Sequence, residues 1–130
     1  MDPLRYQLPI GQRLPLHLGA GKVIAADLDV DDLNAFLTTV GELRTASGVL
    51  FSEADFRSQL DEIAAQGWHL SVHEREIGAV GLSVPVRRVG GPVVAALSLS
   101  GPSEHHTPDE LLAWVPEVQR AAVAVGRSHP

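Results

Sequence analysis

Two apolar runs, Ala79 to Val86 and Pro92 to Ser100, flank Arg87-Arg88-Val89-Gly90-Gly91, and no other feature of this chain narrows its fold as much. Apolar runs this short, separated by a glycine pair, predict a β-hairpin and hence an antiparallel sheet. The second run leads into "ALSLSGP", Ala96 to Pro102, where Leu97 and Leu99 alternate with Ser98 and Ser100. Successive strand side chains point to opposite faces, so Ser98 and Ser100 share a face with Ala96. A buried hydroxyl without a partner costs about 1–3 kcal/mol. Either neighbouring groups satisfy the two serines, or water or a ligand does.

The rest of the chain supplies a third strand and the helices around it. Trp68, Leu70 and Val72 alternate with His69, Ser71 and His73 in the manner of a half-buried strand. Before it, Ser52 caps a helix expected over Glu53 to Gln66, with Phe56, Leu60, Ile63 and Ala64 on one face and Gly67 as its left-handed stop. A helix from Gly19 to near Asp29, and a second capped by Asp31 and stopped by Gly41, precede a connection over Glu42 to Leu50. At the other end Thr107-Pro108-Asp109-Glu110 starts a helix. Its stripe is Leu111, Val115, Val118, Ala122 and Val125, closed by Gly126. Residues 1–16 hold three prolines and a glycine and read as an extended entry with a short edge strand around Leu4 to Leu8. The expected order is helix, helix, helix, strand, strand, strand, helix, with a possible strand first. That is an α+β fold of one domain, without repeats or a linker.

Composition removes several functions. Six aromatics among 130 residues leave the core to Leu, Val, Ile and Ala. A net charge of −6 gives no electrostatic reason to approach phosphate backbones or anionic membranes. The absence of cysteine excludes disulfides, thiolate metal sites and a cysteine nucleophile. The apolar run from Gly90 to Leu99, broken by Pro92 and Ser98, is far too short to span a bilayer. Met1-Asp2-Pro3-Leu4-Arg5 does not open like an export signal, so a cytoplasmic location is expected.

Three stretches in register, "GQRLPLHLGAGK" (Gly11 to Lys22), "QGWHLSVHEREIGAVGLSVPV" (Gln66 to Val86) and "VVAALSLSGP" (Val93 to Pro102), resemble the C-terminal effector-binding domain of the IclR family of bacterial transcriptional regulators. The likeness runs from about residue 10 to residue 126. It implies a GAF-like fold, a curved antiparallel sheet flanked by helices, with a small effector on the concave face. It also implies that the whole chain is the ligand-sensing domain, truncated at its N-terminus. Family members carry a winged helix-turn-helix, then a helix and two strands, before the Pro-Leu-His stretch. DNA would be reached only through that absent domain, and a sheet lacking two strands would have bare edges that favour a homo-oligomer, dimer or tetramer.

Carried over residue by residue, the resemblance puts effector-binding backbone N–H groups at Gly19 and Ala20 and hydroxyls at Ser98 and Ser100. Positions facing the same pocket fall on Ser71 and Gly81. The chemistry agrees: unpaired N–H groups attract a carboxylate, glycine admits close approach, and hydroxyls donate without adding charge. The segment Leu18-Gly19-Ala20 is one residue shorter than the usual family stretch, and Ser71 replaces an acidic residue of some members, so effector identity is not carried over.

The remaining polar groups receive structural readings. Lys22 is expected to be solvated, as are His105-His106, and Arg87 and Arg88 to keep the turn soluble. Asp27 to Asp32 and Glu74 to Glu76 read as solvated faces and cap charges. His69 and His73 would share a strand face with Ser71, a weak metal pattern, and no metal or cofactor is expected. A Ser/His/Glu hydrolase using Ser98 or Ser100, His69 or His73, and Glu74 lacks a Gly-x-Ser-x-Gly elbow and stands as a minor alternative. The other alternative is a GAF-like oligomerisation module with Ser98 and Ser100 satisfied internally.

Overall fold

The computed structural model describes residues 5–7 and 15–128. Its elements in chain order are β1 (Arg5–Gln7), α1 (Ala20–Ala25), α2 (Val30–Val40), α3 (Glu53–Gln66), β2 (His69–Val72), β3 (Ala79–Arg87), β4 (Val93–Pro102), α4 (Pro108–Leu112) and α5 (Val115–Ser128). The four strands form one antiparallel sheet in the order β1-β4-β3-β2. The expected edge strand thus exists over Arg5–Gln7; Leu4 and Leu8 lie outside the described residues. It covers Ser98, Leu99 and Ser100 on the β4 side, which leaves β1 and β2 as the outer strands of the sheet among the described residues.

The hairpin forms as its sequence predicts, with Ser83 opposite Ser98, Val84 opposite Leu97 and a bulge between Val86 and Arg87. Alternation along β3 and β4 then separates two faces. On one, Val80, Leu82, Val84 and Val86 join Ala95, Leu97 and Leu99 in an aliphatic core sealed by Leu111 of α4 and Val118 and Ala122 of α5. On the other, Ala96 meets Ala20 and Val23 of α1 and Phe56, Leu60 and Ile63 of α3. The remainder of that second face carries Gly81, Ser83, Ser98 and Ser100, so its polar part begins where the packing against α1 and α3 ends.

Local signals set most helix ends. Ser52 accepts the Asp55 N–H at 3.0 Å and Gly67 closes α3 at φ 80°. The cap of α2 is Asp29, not Asp31: Asp29 has extended backbone and its carboxylate accepts the Asp32 N–H, while Asp31 lies inside the first turn. The first helix is shorter than expected, ending at Ala25 in a turn whose N–H groups bond back to Lys22, Ile24 and Ala25. Asp27, just beyond, accepts the Val93 N–H at 2.9 Å and Arg87 Nη1 at 3.3 Å, so both residues serve to tie α1 to the hairpin.

The expected single C-terminal helix is two. Pro116 has no N–H to give the Leu112 carbonyl, and the chain turns through Ala113 and Trp114 before α5 begins. Gly126 does not close α5; it lies buried within it, where a Cβ would fall 2.1 Å from the Arg87 carbonyl oxygen. Its missing side chain is what allows α5 to touch the backbone of β3.

Candidate functional site

Strand register builds the floor of the site. Pairing places His69, Ser83 and Ser98 in one row across β2, β3 and β4, and Ser71, Gly81 and Ser100 in the next. The start of α1 stands over these rows, and the loop between β2 and β3 closes the side. The half-open cavity is about 100 Å³, bounded by Gly19, Ala20, Ser71, Gly81, Ser98 and Ser100, the six residues singled out from the sequence, together with Ser83, Glu74, Arg75 and Glu76. A Cβ at Gly81 would lie 3.2 Å from Ser71 Oγ and 3.8 Å from Ser100 Cβ, so glycine keeps the floor open between the hydroxyls.

The hydroxyls are not equivalent. Ser98 and Ser83 share one hydrogen bond at 2.7 Å, buried within the sheet. Two hydroxyls bring two protons and this bond uses one, which leaves a donor for the cavity. Ser71 Oγ reaches the Gly81 carbonyl only at 3.4 Å, and the Ser100 hydroxyl has no hydrogen bond among the described residues. The internal answer to the serine question therefore holds for Ser98 alone.

Glu74 corrects two expectations at once. It is not a solvated charge, and it takes one of the backbone N–H groups assigned to a ligand. Its Oε1 accepts the Gly19 N–H at 3.0 Å and pairs with Lys22 Nζ at 2.8 Å, while Oε2 meets His69 Nε2 at 3.0 Å. Lys22, expected in solvent, is 3% exposed and also donates to Gln59 Oε1 at 2.6 Å. The segment "AGK" places it there because α1 turns its Lys22 position inward towards α3. Burial by itself pushes the Glu74 carboxyl up, but the bond and charge of His69, and then those of Lys22, outweigh it and hold the group at about 2. An ionised carboxylate only accepts, so His69 Nε2 carries a proton.

Ala20 N–H, by contrast, has no acceptor among the described residues. His73 leaves the strand face it was expected to share with His69 and Ser71: it follows β2 at φ 57°, with Nδ1 accepting the Gly78 N–H at 2.8 Å. The weak metal pattern is thereby broken, and among the described residues no three His, Asp or Glu side chains converge as a metal site requires. Among the described residues His69, His73 and His106 bond to Glu74, Gly78 and Glu110, and none of these partners is a serine. His106 is buried against Glu110 at 3.1 Å rather than solvated, and it does not line the cavity.

A sequence profile of the bacterial transcriptional regulator IclR C-terminal family matches residues 1–127. The chain belongs to the IclR family. This IclR domain is similar to the Pca operon regulatory protein of Acinetobacter baylyi, 34% identical, the match covering 90% of the chain and 43% of that protein. It is also similar to the transcriptional regulator XynR of Escherichia coli K12, 35% identical over 92% of the chain and 48% of that protein. It thus spans about half the length of these curated relatives, which are regulators and not enzymes. Among solved structures, the inducer-binding domain of PobR from Acinetobacter, a double mutant in complex with 3-hydroxybenzoic acid, superposes with a TM-score of 0.79 at 27% identity, covering 90% of this chain and 68% of that one. The C-terminal domain of Escherichia coli KdgR gives 0.72 at 31% identity, over 86% of this chain and 69% of that one.

Within the IclR domain, sequence reasoning missed Ser83, Glu74 and Arg75. Ser83 was legible, since a hairpin centred on Gly90-Gly91 sets it opposite Ser98. Glu74 was hidden by its acidic neighbourhood, Glu74-Arg75-Glu76, which reads as surface.

The Pro-Leu-His stretch carries one further titrating group. His17 lies between Phe36 and Phe51, with centroids 6.1 and 6.3 Å away, and its Nδ1 has no hydrogen-bond partner among the described residues. Burial, then the Lys22 charge, lowers its pKa below the usual histidine value, against a backbone hydrogen bond at Arg44 that raises it. The unfolded chain therefore takes up the proton first, and stability falls as pH drops through the ordinary histidine range. His17→Phe removes that dependence: denaturation midpoints between pH 7 and 5 should vary less in the variant than in the parent, and equal slopes would mean His17 titrates as in the unfolded chain.

Proposed function

We propose that residues 1–130 form the effector-binding domain of an IclR-type transcriptional regulator, and that the cavity under α1 binds a small organic acid without transforming it. The observation that carries this is a polar cavity whose floor offers more hydrogen-bond donors than the protein itself uses: the second proton of the Ser83–Ser98 pair, the Ser100 hydroxyl and the Ala20 N–H. Acceptor-rich ligands answer such a surplus. A cavity of about 100 Å³ is smaller than the roughly 150 Å³ that takes up benzene. Short-chain acids fit this volume, and an aromatic acid such as the one bound to PobR would extend through the open mouth.

Binding shifts the arrangement of α1 and the sheet, and through it the spacing of DNA-binding domains in a homo-oligomeric regulator of the cytoplasm. No described helix is long and apolar enough to cross a membrane, in keeping with that location. A module serving oligomerisation alone would leave the Ser100 and Ala20 donors without purpose.

The test is a thermal-shift screen of short hydroxy, keto and aromatic carboxylates against the parent and a Ser98→Ala/Ser100→Ala variant, with hits confirmed by calorimetry. A ligand at about a hundred times its Kd adds about 2.7 kcal/mol to the parent, a shift of several degrees. The variant should lose it. Equal shifts in both proteins, or none in either, would remove the cavity as the effector site.

A further inference from the structure

The cavity wall contains an acid of its own, and its position bears on which ligands the site accepts. Where α1 meets the β2–β3 loop, three donors converge: the Gly19 N–H, the Lys22 ammonium and the His69 Nε2–H. All three are directed to one carboxylate, that of Glu74, at 3.0, 2.8 and 3.0 Å. Lys22 is anchored from behind by Gln59 at 2.6 Å and lies 5.3 Å from the centroid of the Phe51 ring, so its charge cannot swing away to serve another group. A ligand carboxylate arriving at this corner finds all three groups already turned to Glu74, with Lys22 holding Gln59 as well, so that at most one ammonium proton is left for it. It would lose its hydration for little hydrogen bonding in return and would meet the Glu74 charge.

The other groups at the cavity differ. Arg75 and Glu76 border the mouth on exposed backbone, and neither has an ion pair or side-chain hydrogen bond among the described residues. Within the wall the Glu74 carboxylate and the Lys22 ammonium are paired; among the described residues lining the cavity, Arg75 is the cation without an ion pair, standing at the mouth with the Glu76 carboxylate as its sequence neighbour.

Resting on the effector reading above, we propose that Glu74 is a specificity-determining residue: a built-in carboxylate that fills the anion corner of Gly19, Lys22 and His69, turns free carboxylates away from it, and directs the acidic group of the effector to Arg75. The effector is accordingly held with its acid at the mouth and its carbonyl or hydroxyl oxygens on the Ser83, Ser98 and Ser100 floor.

Vacating the corner tests this with acetate as the probe and acetamide, its neutral isostere, as the control. Glu74→Ala leaves three donors without an acceptor around a space the size of a short acid. Acetate should stabilise this variant saturably, with a half-effect concentration at least about tenfold below that for the parent, as a charge-assisted contact provides. Acetamide, and sodium chloride at equal ionic strength, should do little. If Glu74→Ala is unfolded, the same titration is read as refolding by circular dichroism, and acetate alone should restore the fold. Acetate no better than acetamide in either format would make Glu74 a structural ion-pair partner only and overturn the proposal.

The second arm is Arg75→Gln against the acids found in the thermal-shift screen. Their affinity should fall about tenfold while neutral ligands keep theirs; undiminished acid binding overturns the role of the mouth. A parent that binds no screened acid instead counts against the effector cavity, and acetate rescue then decides the role of Glu74 by itself.

Discussion

Gly21→Ala destabilises the domain by about 3 kcal/mol or more and abolishes ligand response with it. Alanine in place of a helical glycine ordinarily gains up to about 1 kcal/mol, so the expected sign is the reverse of the usual one. A Cβ at Gly21 would fall 1.9 Å from the Pro15 carbonyl oxygen, 2.7 Å from its carbon and 2.9 Å from Leu16 Cα. All three are backbone atoms, which cannot rotate aside as the end of a side chain can. The Leu18 N–H bonds to that same Pro15 carbonyl at 3.3 Å and the Gly21 N–H to the Leu18 carbonyl at 3.0 Å, so relief of the clash moves the turn that aims Gly19 and Ala20 into the cavity. Urea denaturation measures the loss as a lowered midpoint. A variant as stable as the parent would mean that the approach of Pro15 to α1 is dispensable.

Acid should remove a comparable amount through Glu74. Its carboxyl titrates at about 2 in the fold and near 4.5 in the unfolded chain. The stabilisation is fully present above pH 4.5 and is lost as pH falls towards 2, about 3 kcal/mol in all. Other carboxylates contribute to acid unfolding as well, so the informative quantity is the difference between the parent and Glu74→Gln. Denaturant midpoints for the two should converge as pH drops from 4.5 to 2, because protonation gives the parent the neutral side chain that the variant already has. Parallel curves would mean that Glu74 titrates normally in the fold and that its contacts with Lys22 and His69 contribute nothing to stability.

The sheet and its two faces were legible because they depend on period-two alternation and on a glycine turn, both local patterns. Alternation by itself put only Ser98 and Ser100 on one face; Gly19, Ala20, Ser71 and Gly81 came from the family resemblance, and the structure sets all six around one cavity. What the pattern could not carry was long-range electrostatics. Glu74, Lys22, Gln59 and His69 come from four separate segments, and nothing local marks a glutamate between His73 and Arg75 as buried. The helix errors have simpler causes. Asp29 and Asp31 both satisfy a cap preference, and Pro116 inside a convincing apolar stripe divides one expected helix into α4 and α5.

The pairing of β1 with Ser98 to Ser100 has a kinetic counterpart. The β3–β4 hairpin joins neighbours in sequence and can close early, whereas β1 must wait for a strand near the opposite end of the chain. On the ribosome Arg5–Gln7 emerge long before their partners exist, so the β1–β4 pairing closes among the last events of folding, after the hairpin that carries the cavity floor. Until then the outer backbone of Ser98 to Ser100 is an open strand edge, while their other neighbours on β3 are already in place.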